Sequence, residues 1–239
     1  MNEIITIDGP AGSGKSTVSR MLARCIHYSY LDTGAMYRAV ALVAKRRGMD
    51  LHNGEALRKM CRSLDLWFDR GEDPPKLMLG EEDISGLIRS PELDMLSSSV
   101  SAVREVREAM SDLQRRMSKD GEFVAEGRDM GSVVFFRARW KFYLTASAEA
   151  RVERRYRERL ERGETVTREG VAEDLKRRDD QDRMRALSPL KPAEDAVIID
   201  STALSAEEVV EQMLNHIRER SNGSGISEYL NDKCLRGLK

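Results

Sequence analysis

Eight residues near the amino terminus constrain this chain more than any others. Gly9-Pro10-Ala11-Gly12-Ser13-Gly14-Lys15-Ser16 has the G-x-x-x-x-G-K-[ST] spacing of a phosphate-binding loop. Before it, Ile4-Ile5-Thr6-Ile7 is a short β-branched apolar run that reads as a strand. After it, Val18, Met21, Leu22, Cys25 and Ile26 recur at i, i+3, i+4, i+7 and i+8, one face of a helix. Glycines at such a junction let consecutive backbone N–H groups turn inward as an anion nest, and the positive end of the helix reinforces it. Lys15 brings a mobile charge to the β/γ-phosphates of a triphosphate, and the Ser16 hydroxyl can ligate Mg²⁺.

The rest of the chain continues the alternation. Tyr28 to Leu31 reads as a second strand, and Met36, Val40, Val43 and Ala44 mark a second amphipathic helix with Gly48 as its stop. From about Asp50 to Pro91 the pattern changes: Leu66-Trp67-Phe68 and Lys76-Leu77-Met78-Leu79 read as short strands around the turn Gly71-Glu72-Asp73-Pro74-Pro75, a small β-unit between helices. Val100, Val103, Val106, Met110, Leu113 and Met117 predict one long helix. Phe123-Val124-Ala125, Phe142-Tyr143-Leu144 and Val197-Ile198-Ile199 are buried-type strands. Ser205 and Glu208 form a capping box before Val209, Val210, Met213, Leu214 and Ile217, and a polar tail begins at Ser221. Alternating strands and helices predict an α/β fold, a parallel sheet covered on both faces.

Three further stretches carry chemistry. Leu31-Asp32-Thr33-Gly34-Ala35-Met36-Tyr37-Arg38 opens the second helix just after the second strand. Strand carboxyl ends line the ligand crevice of an open parallel sheet, and a cation in a first helical turn opposes the dipole unless an anion compensates it. Arg38 is therefore either an anion ligand or a solvated surface arginine. Glu126-Gly127-Arg128-Asp129-Met130-Gly131 likewise follows a strand, as a polar turn or as crevice-facing acids and a cation. In Lys176-Arg177-Arg178-Asp179-Asp180-Gln181-Asp182-Arg183-Met184-Arg185, helical spacing puts Arg178, Asp182 and Arg185 on one face. That face is an ion-pair ladder or a sugar-phosphate clamp. Residues 151–185 hold eleven Arg and one Lys against ten acidic residues, a solvated ion-paired surface or, given the arginine bias, a set of phosphate clamps.

Together these four stretches resemble the cytidylate kinases, the bacterial CMP/dCMP kinase branch of the nucleoside monophosphate kinases. The resemblance runs from residue 3 to about 218 and takes in Gly80-Glu81-Glu82-Asp83-Ile84-Ser85 and Asp200-Ser201-Thr202. It implies a P-loop three-layer fold with a parallel sheet flanked by helices, a small inserted β-containing nucleotide-monophosphate-binding domain and a short helical lid. The expected division is a core of residues 1–40, 120–149 and 170–220, a CMP-binding region at 41–119 with its β insert near 64–90, a lid at 150–169, and the tail 221–239. The implied reaction moves the γ-phosphate of ATP to CMP or dCMP with Mg²⁺, held by Ser16. The resemblance assigns ATP to Gly9, Pro10, Ala11, Gly12, Ser13, Gly14, Lys15, Ser16, Thr17 and Arg154. It assigns the acceptor phosphate to Arg38 and Arg128, which with Lys15 form the catalytic set. The cytosine edge falls to Ser98, Arg107 and Asp129, and the sugar to Arg178 and Asp182, with Thr33, Tyr37 and Arg185 completing the CMP site. The family pattern usually has Asp before Gly-Arg-Asp, where this chain has Glu126; the longer side chain is expected to shift a contact to Mg²⁺-bound water.

Composition bounds the alternatives. Forty basic against forty-one acidic residues give a formal net charge of −1, without the strong basic excess of a nucleic-acid-coating protein. No apolar run approaches the ~20 residues of a membrane span, and Met1-Asn2-Glu3 does not begin a secretory signal. Three cysteines, Cys25, Cys61 and Cys234, with no CxxC pair suit a reducing compartment and exclude a disulfide framework or zinc ribbon. The expectation is a cytoplasmic monomer acting on small molecules. The rival enzymes are other small-acceptor P-loop kinases, for UMP, AMP or shikimate. Asp83-Ile84-Ser85-Gly86 matches the D-x-x-G of a nucleotide switch, but no N-K-x-D follows to read guanine.

Overall fold

The computed structural model describes residues 3–119, 121–185 and 187–221. In chain order the elements are β1 (Ile4–Asp8), α1 (Lys15–Cys25), β2 (Ser29–Asp32), α2 (Thr33–Arg46), α3 (Gly54–Arg62), β3 (Leu66–Asp69), β4 (Lys76–Leu79) and β5 (Glu82–Asp83). They continue with α4 (Pro91–Ala102), α5 (Arg104–Met117), β6 (Phe123–Gly127), a π-helical turn (Met130–Val134), β7 (Trp140–Thr145), α6 (Ala148–Glu161), α7 (Arg168–Met184), β8 (Val197–Asp200) and α8 (Ala206–Arg220). Among the described residues two compact units result: 3–31, 121–184 and 188–221 form one, 32–119 with Arg185 and Leu187 the other.

The first unit holds a five-stranded sheet in the order β2-β6-β1-β7-β8. β1 runs parallel to both β6 and β7, and β7 parallel to β8. Ile5 and Ile7 of the central β1 are fully buried, as the apolar run before the loop requires. Val18, Leu22 and Ile26 from the α1 segment and Val210, Met213, Leu214 and Ile217 from α8 join Phe142 and Leu144 in the same core. Each such side chain contributes roughly 1.5–3 kcal/mol by burial, so the helical periodicities read from sequence are what attach α1 and α8 to the sheet. The Ser205–Glu208 capping box starts α8 as expected. The register aligns Asp8 with Gly127 and with Tyr143. The loops that leave β1 and β6 therefore start level with each other.

The second unit is mostly helical and carries a three-stranded sheet, β3-β4-β5, antiparallel throughout. Side-chain caps start three of its helices: Asp32 accepts from the Ala35 N–H for α2, Asn53 from Ala56 for α3, and Ser90 from Leu93 for α4, with Pro91 in the first turn.

Three details differ from the sequence reading. The long helix expected through Val100 and Met117 breaks at Val103, which is extended (φ −75°, ψ 123°) between α4 and α5. Ser97 and Ser101 donate their hydroxyls to carbonyls three residues back, the local competition that weakens a helix end. The β-unit gains the two-residue β5, too short and too charged to be seen as a run. Arg185 does not share a helix face with Arg178 and Asp182, because α7 ends at Met184 and the Leu190 N–H closes onto the Asp182 carbonyl. Cys61 is a free buried thiol. The polar tail expected at 221–239 lies, beyond Ser221, outside the described residues. Among the described residues, no helix is long and apolar enough to cross a membrane.

Candidate active site

The loop after β1 is shaped by its glycines. Gly9 (φ +149°) and Gly14 (φ +90°) adopt backbone conformations that L side chains rarely do. A Cβ on Gly9 would stand 2.0 Å from the Leu144 carbonyl oxygen, so β7 itself excludes any larger residue there. Gly14 caps α1 without a side-chain hydrogen bond, and the first turn of α1 has no acid. The helix therefore presents its N–H groups and positive end to an anion rather than to its own side chains. The loop is braced from behind. Arg154 donates to the Ser201 hydroxyl at 2.9 Å, and Ser201 donates to the Ser13 carbonyl at 3.0 Å. Arg151, buried, donates to the Ala11 carbonyl at 3.1 Å and to Asp179 at 2.6 Å. Thr17 lies exposed one residue beyond Ser16.

Lys15 is buried and donates to the Pro10 carbonyl at 2.7 Å. Its pKa lies well below the ordinary lysine value, first because burial disfavours the ammonium and next because Arg128 and Arg178 repel it, with Glu126 and Asp8 pulling the other way. Three cations crowd one another here, an arrangement that an oxyanion relieves. Arg128 Nε in turn donates to Asp182 at 2.8 Å. The structure thus brings Lys15, Arg128, Arg178 and Asp182 together, although they are spread over 168 positions of sequence. Asp129 is buried beside them, and its charge acts on Asp8.

Ser16 Oγ donates to Glu126 Oε1 at 2.8 Å, and the Tyr30 hydroxyl donates to the same oxygen at 2.8 Å. Glu126 is only 5% exposed. A hydroxyl beside a carboxylate is the hard-oxygen donor set that Mg²⁺ takes, usually with substrate phosphates and waters completing it. No group of three or more His, Cys, Asp and Glu side chains among the described residues forms a cation cage of its own, so the residues fit a metal that arrives shared with a nucleotide.

The second unit collects its own group. Arg107 is buried and donates to the Ser101 carbonyl at 3.2 Å, with its guanidinium 5.7 Å from the Tyr37 ring centroid. Arg185 reaches the Ser101 hydroxyl at 3.5 Å, and Ser98 accepts from that hydroxyl through its carbonyl at 2.9 Å. Arg38 Nε donates to Asp94 at 2.7 Å, both partly buried, so it is an ion-paired residue rather than a solvated one. Thr33 is buried at the start of α2. Sequence reading did not single out Ser101, Asp94, Tyr30 or Asp179; the partners of the last three lie 56, 96 and 28 residues away along the chain.

The chain is similar to known proteins over most of its length. The family profile of cytidylate kinases matches residues 5–219. The cytidylate kinase of Geobacter sp. (strain M21) is 46% identical over 217 residues, 91% of this chain and 93% of the relative. That of Carboxydothermus hydrogenoformans is 43% identical over 218 residues, 91% of this chain and 98% of the relative. Among solved structures, an uncharacterized protein from Eubacterium ventriosum is similar in fold, with a TM-score of 0.50 at 13% identity over 92% of this chain and all of that one.

Proposed function

The chain belongs to the cytidylate kinase family, and on that premise we propose how its residues divide the transfer of the γ-phosphoryl group of ATP to CMP or dCMP, giving ADP and CDP or dCDP. The observation that carries the reading is the crowding of Lys15 by Arg128 and Arg178 beside an uncapped helix start. The oxygens of a phosphoryl group relieve that mutual repulsion. The acceptor is a phosphate monoester with a second pKa near 6, mostly dianionic at pH 7, so its attack needs no strong general base. None of His27, His52 and His216 belongs to these motifs. What remains is to align two polyanions and spread the charge of the transition state.

In this assignment Lys15 and the N–H groups of the loop hold the β- and γ-phosphates, and Arg154 braces the donor side. Arg128 and Arg38 take the acceptor phosphate, and Arg178 and Asp182 the sugar. Ser98, Arg107 and Asp129 face the cytosine edge, with Thr33, Tyr37 and Arg185 supporting the same nucleotide. Cytosine offers an N4 amino donor beside the N3 and O2 acceptors, which suits an acid and a guanidinium; uracil reverses N4 and N3 and leaves both mismatched. Mg²⁺, held by Ser16 and Glu126 through oxygen, would neutralise charge on the donor phosphates. The reading takes residues 41–119 as the CMP-binding region, 150–169 as a lid, and the protein as a cytoplasmic monomer.

Incubation with ATP, Mg²⁺ and CMP, followed by anion-exchange separation, tests it. CDP and ADP are expected in equal amounts. ADP without CDP, or neither product, contradicts it.

A further inference from the structure

Asp8 ends β1 immediately before Gly9, at a position where the phosphate-binding pattern asks for no acid. Its side chain is 4% exposed. Each carboxylate oxygen accepts one backbone N–H: Oδ1 that of Met130 and Oδ2 that of Gly131, both at 2.8 Å. These residues directly follow Arg128 and Asp129. The β1–β6 ladder ends at the Asp8–Gly127 pair, so past that point the carboxylate takes over the attachment. The turn is also pressed close to the strand, since a Cβ on Gly131 would stand 2.8 Å from Thr6 Oγ1.

Two donors on two oxygens of one side chain require a carboxylate; an amide presents only one acceptor. The charge is costly to bury. Burial pushes Asp8 up to about 6, outweighing both backbone hydrogen bonds and the attraction of Lys15, with Asp129 adding to the rise. A packed core would not select this group for stability.

We infer that Asp8 is a positioning residue: its carboxylate fixes the turn after β6, and with it Arg128 and Asp129, to the first residue of the phosphate-binding loop. The inference rests on the reading above in which Asp129 faces the base and Arg128 the acceptor phosphate. A shift of that turn by a fraction of an ångström then degrades acceptor alignment and base choice while leaving the donor loop intact, since misplacement near 1 Å costs on the order of 10²-fold in rate.

Asp8→Asn keeps the size and one acceptor but turns an NH₂ toward the second N–H. The measurements are kcat/KM for CMP and for UMP, and equilibrium binding of Mg·ATP without acceptor. Expected are a ~10–100-fold loss of kcat/KM for CMP, a CMP/UMP ratio narrowed about fivefold or more, and ATP affinity within about twofold of the parent. An unchanged ratio, or ATP affinity falling in step with kcat/KM, overturns the inference. Asp129→Asn measured in parallel separates the two claims. If it narrows the ratio and Asp8→Asn does not, the inference falls alone; if neither does, the reading of Asp129 falls with it. Gly131→Ala displaces the same turn from the other side and is expected to narrow the ratio likewise, so an unchanged ratio there overturns the inference even if Asp8→Asn fails to fold.

Discussion

Ser16 Oγ donates to Glu126 Oε1 across 2.8 Å, joining the first turn of α1 to the end of β6. The pair couples the phosphate-binding loop to the acid that opens the Glu126-Gly127-Arg128-Asp129 turn. Glu126→Gln keeps an acceptor oxygen for Ser16 and removes the charge. The expected result is a rise of about tenfold in the Mg²⁺ concentration for half-maximal rate, since a charged ligand contact contributes roughly 1.5–3 kcal/mol. Weaker Mn²⁺ binding in the presence of ADP, followed by electron paramagnetic resonance, should accompany it. Identical metal dependence in parent and variant would remove Glu126 from the metal site.

Lys15 donates to the Pro10 carbonyl and is repelled by Arg128 and Arg178; in the proposed assignment its charge serves the nucleotide rather than the fold. Lys15→Met should lower kcat by ~10²–10³, the usual effect of deleting one preorganised electrostatic contact, with no loss of thermal stability. A folded variant with near-parental turnover contradicts the assignment.

Gly9→Ala would place a methyl group 2.0 Å from the Leu144 carbonyl oxygen, on a residue with φ +149°. Neither backbone can yield without disturbing the β1–β7 pairing. The expected destabilisation is about 2–4 kcal/mol, from overpacking and backbone strain together. Urea denaturation measures it, and a midpoint unchanged from the parent would show that the loop relaxes freely.

Asp8 titrates near 6 in the folded protein and near 3.8 in the unfolded chain. Between those values the native state holds more protons than the unfolded state, so this group makes stability fall as pH rises. Asp8→Asn does not titrate there, while Lys15 and Asp129, the charged groups acting on Asp8, remain in both proteins. The stability of the parent relative to Asp8→Asn is expected to drop by roughly 2 kcal/mol between pH 4 and pH 7. Denaturation curves at both pH values check the sign; a difference that rises with pH contradicts it.

Legibility followed locality. The phosphate-binding loop, the apolar strands around it and the capped helix α8 rest on residues within a few positions of each other, and sequence spacing reports such contacts directly. The break at Val103 was hidden because no glycine or proline marks it; the serines before it, Ser97 and Ser101, loosen the helix end through bonds that spacing alone does not reveal. Arg38 could be read as solvated or anion-facing, and only the fold supplied Asp94, 56 residues away. Tyr30 meeting Glu126 and Asp8 meeting Gly131 likewise depend on which strands become neighbours. Arg185 was placed on the α7 face because helical spacing has no means of showing that the helix stops at Met184.

The central claim is that this chain phosphorylates cytosine nucleotides and selects them by the base. Its most direct test is kcat/KM with CMP, dCMP, UMP and AMP under one ATP and Mg²⁺ concentration, followed by coupled ADP release. The account predicts that CMP and dCMP exceed UMP and AMP by on the order of 10²–10⁴, the discrimination expected when two buried polar partners are mismatched. Equal or greater kcat/KM with UMP or AMP, or ADP release that does not depend on an acceptor, would contradict it.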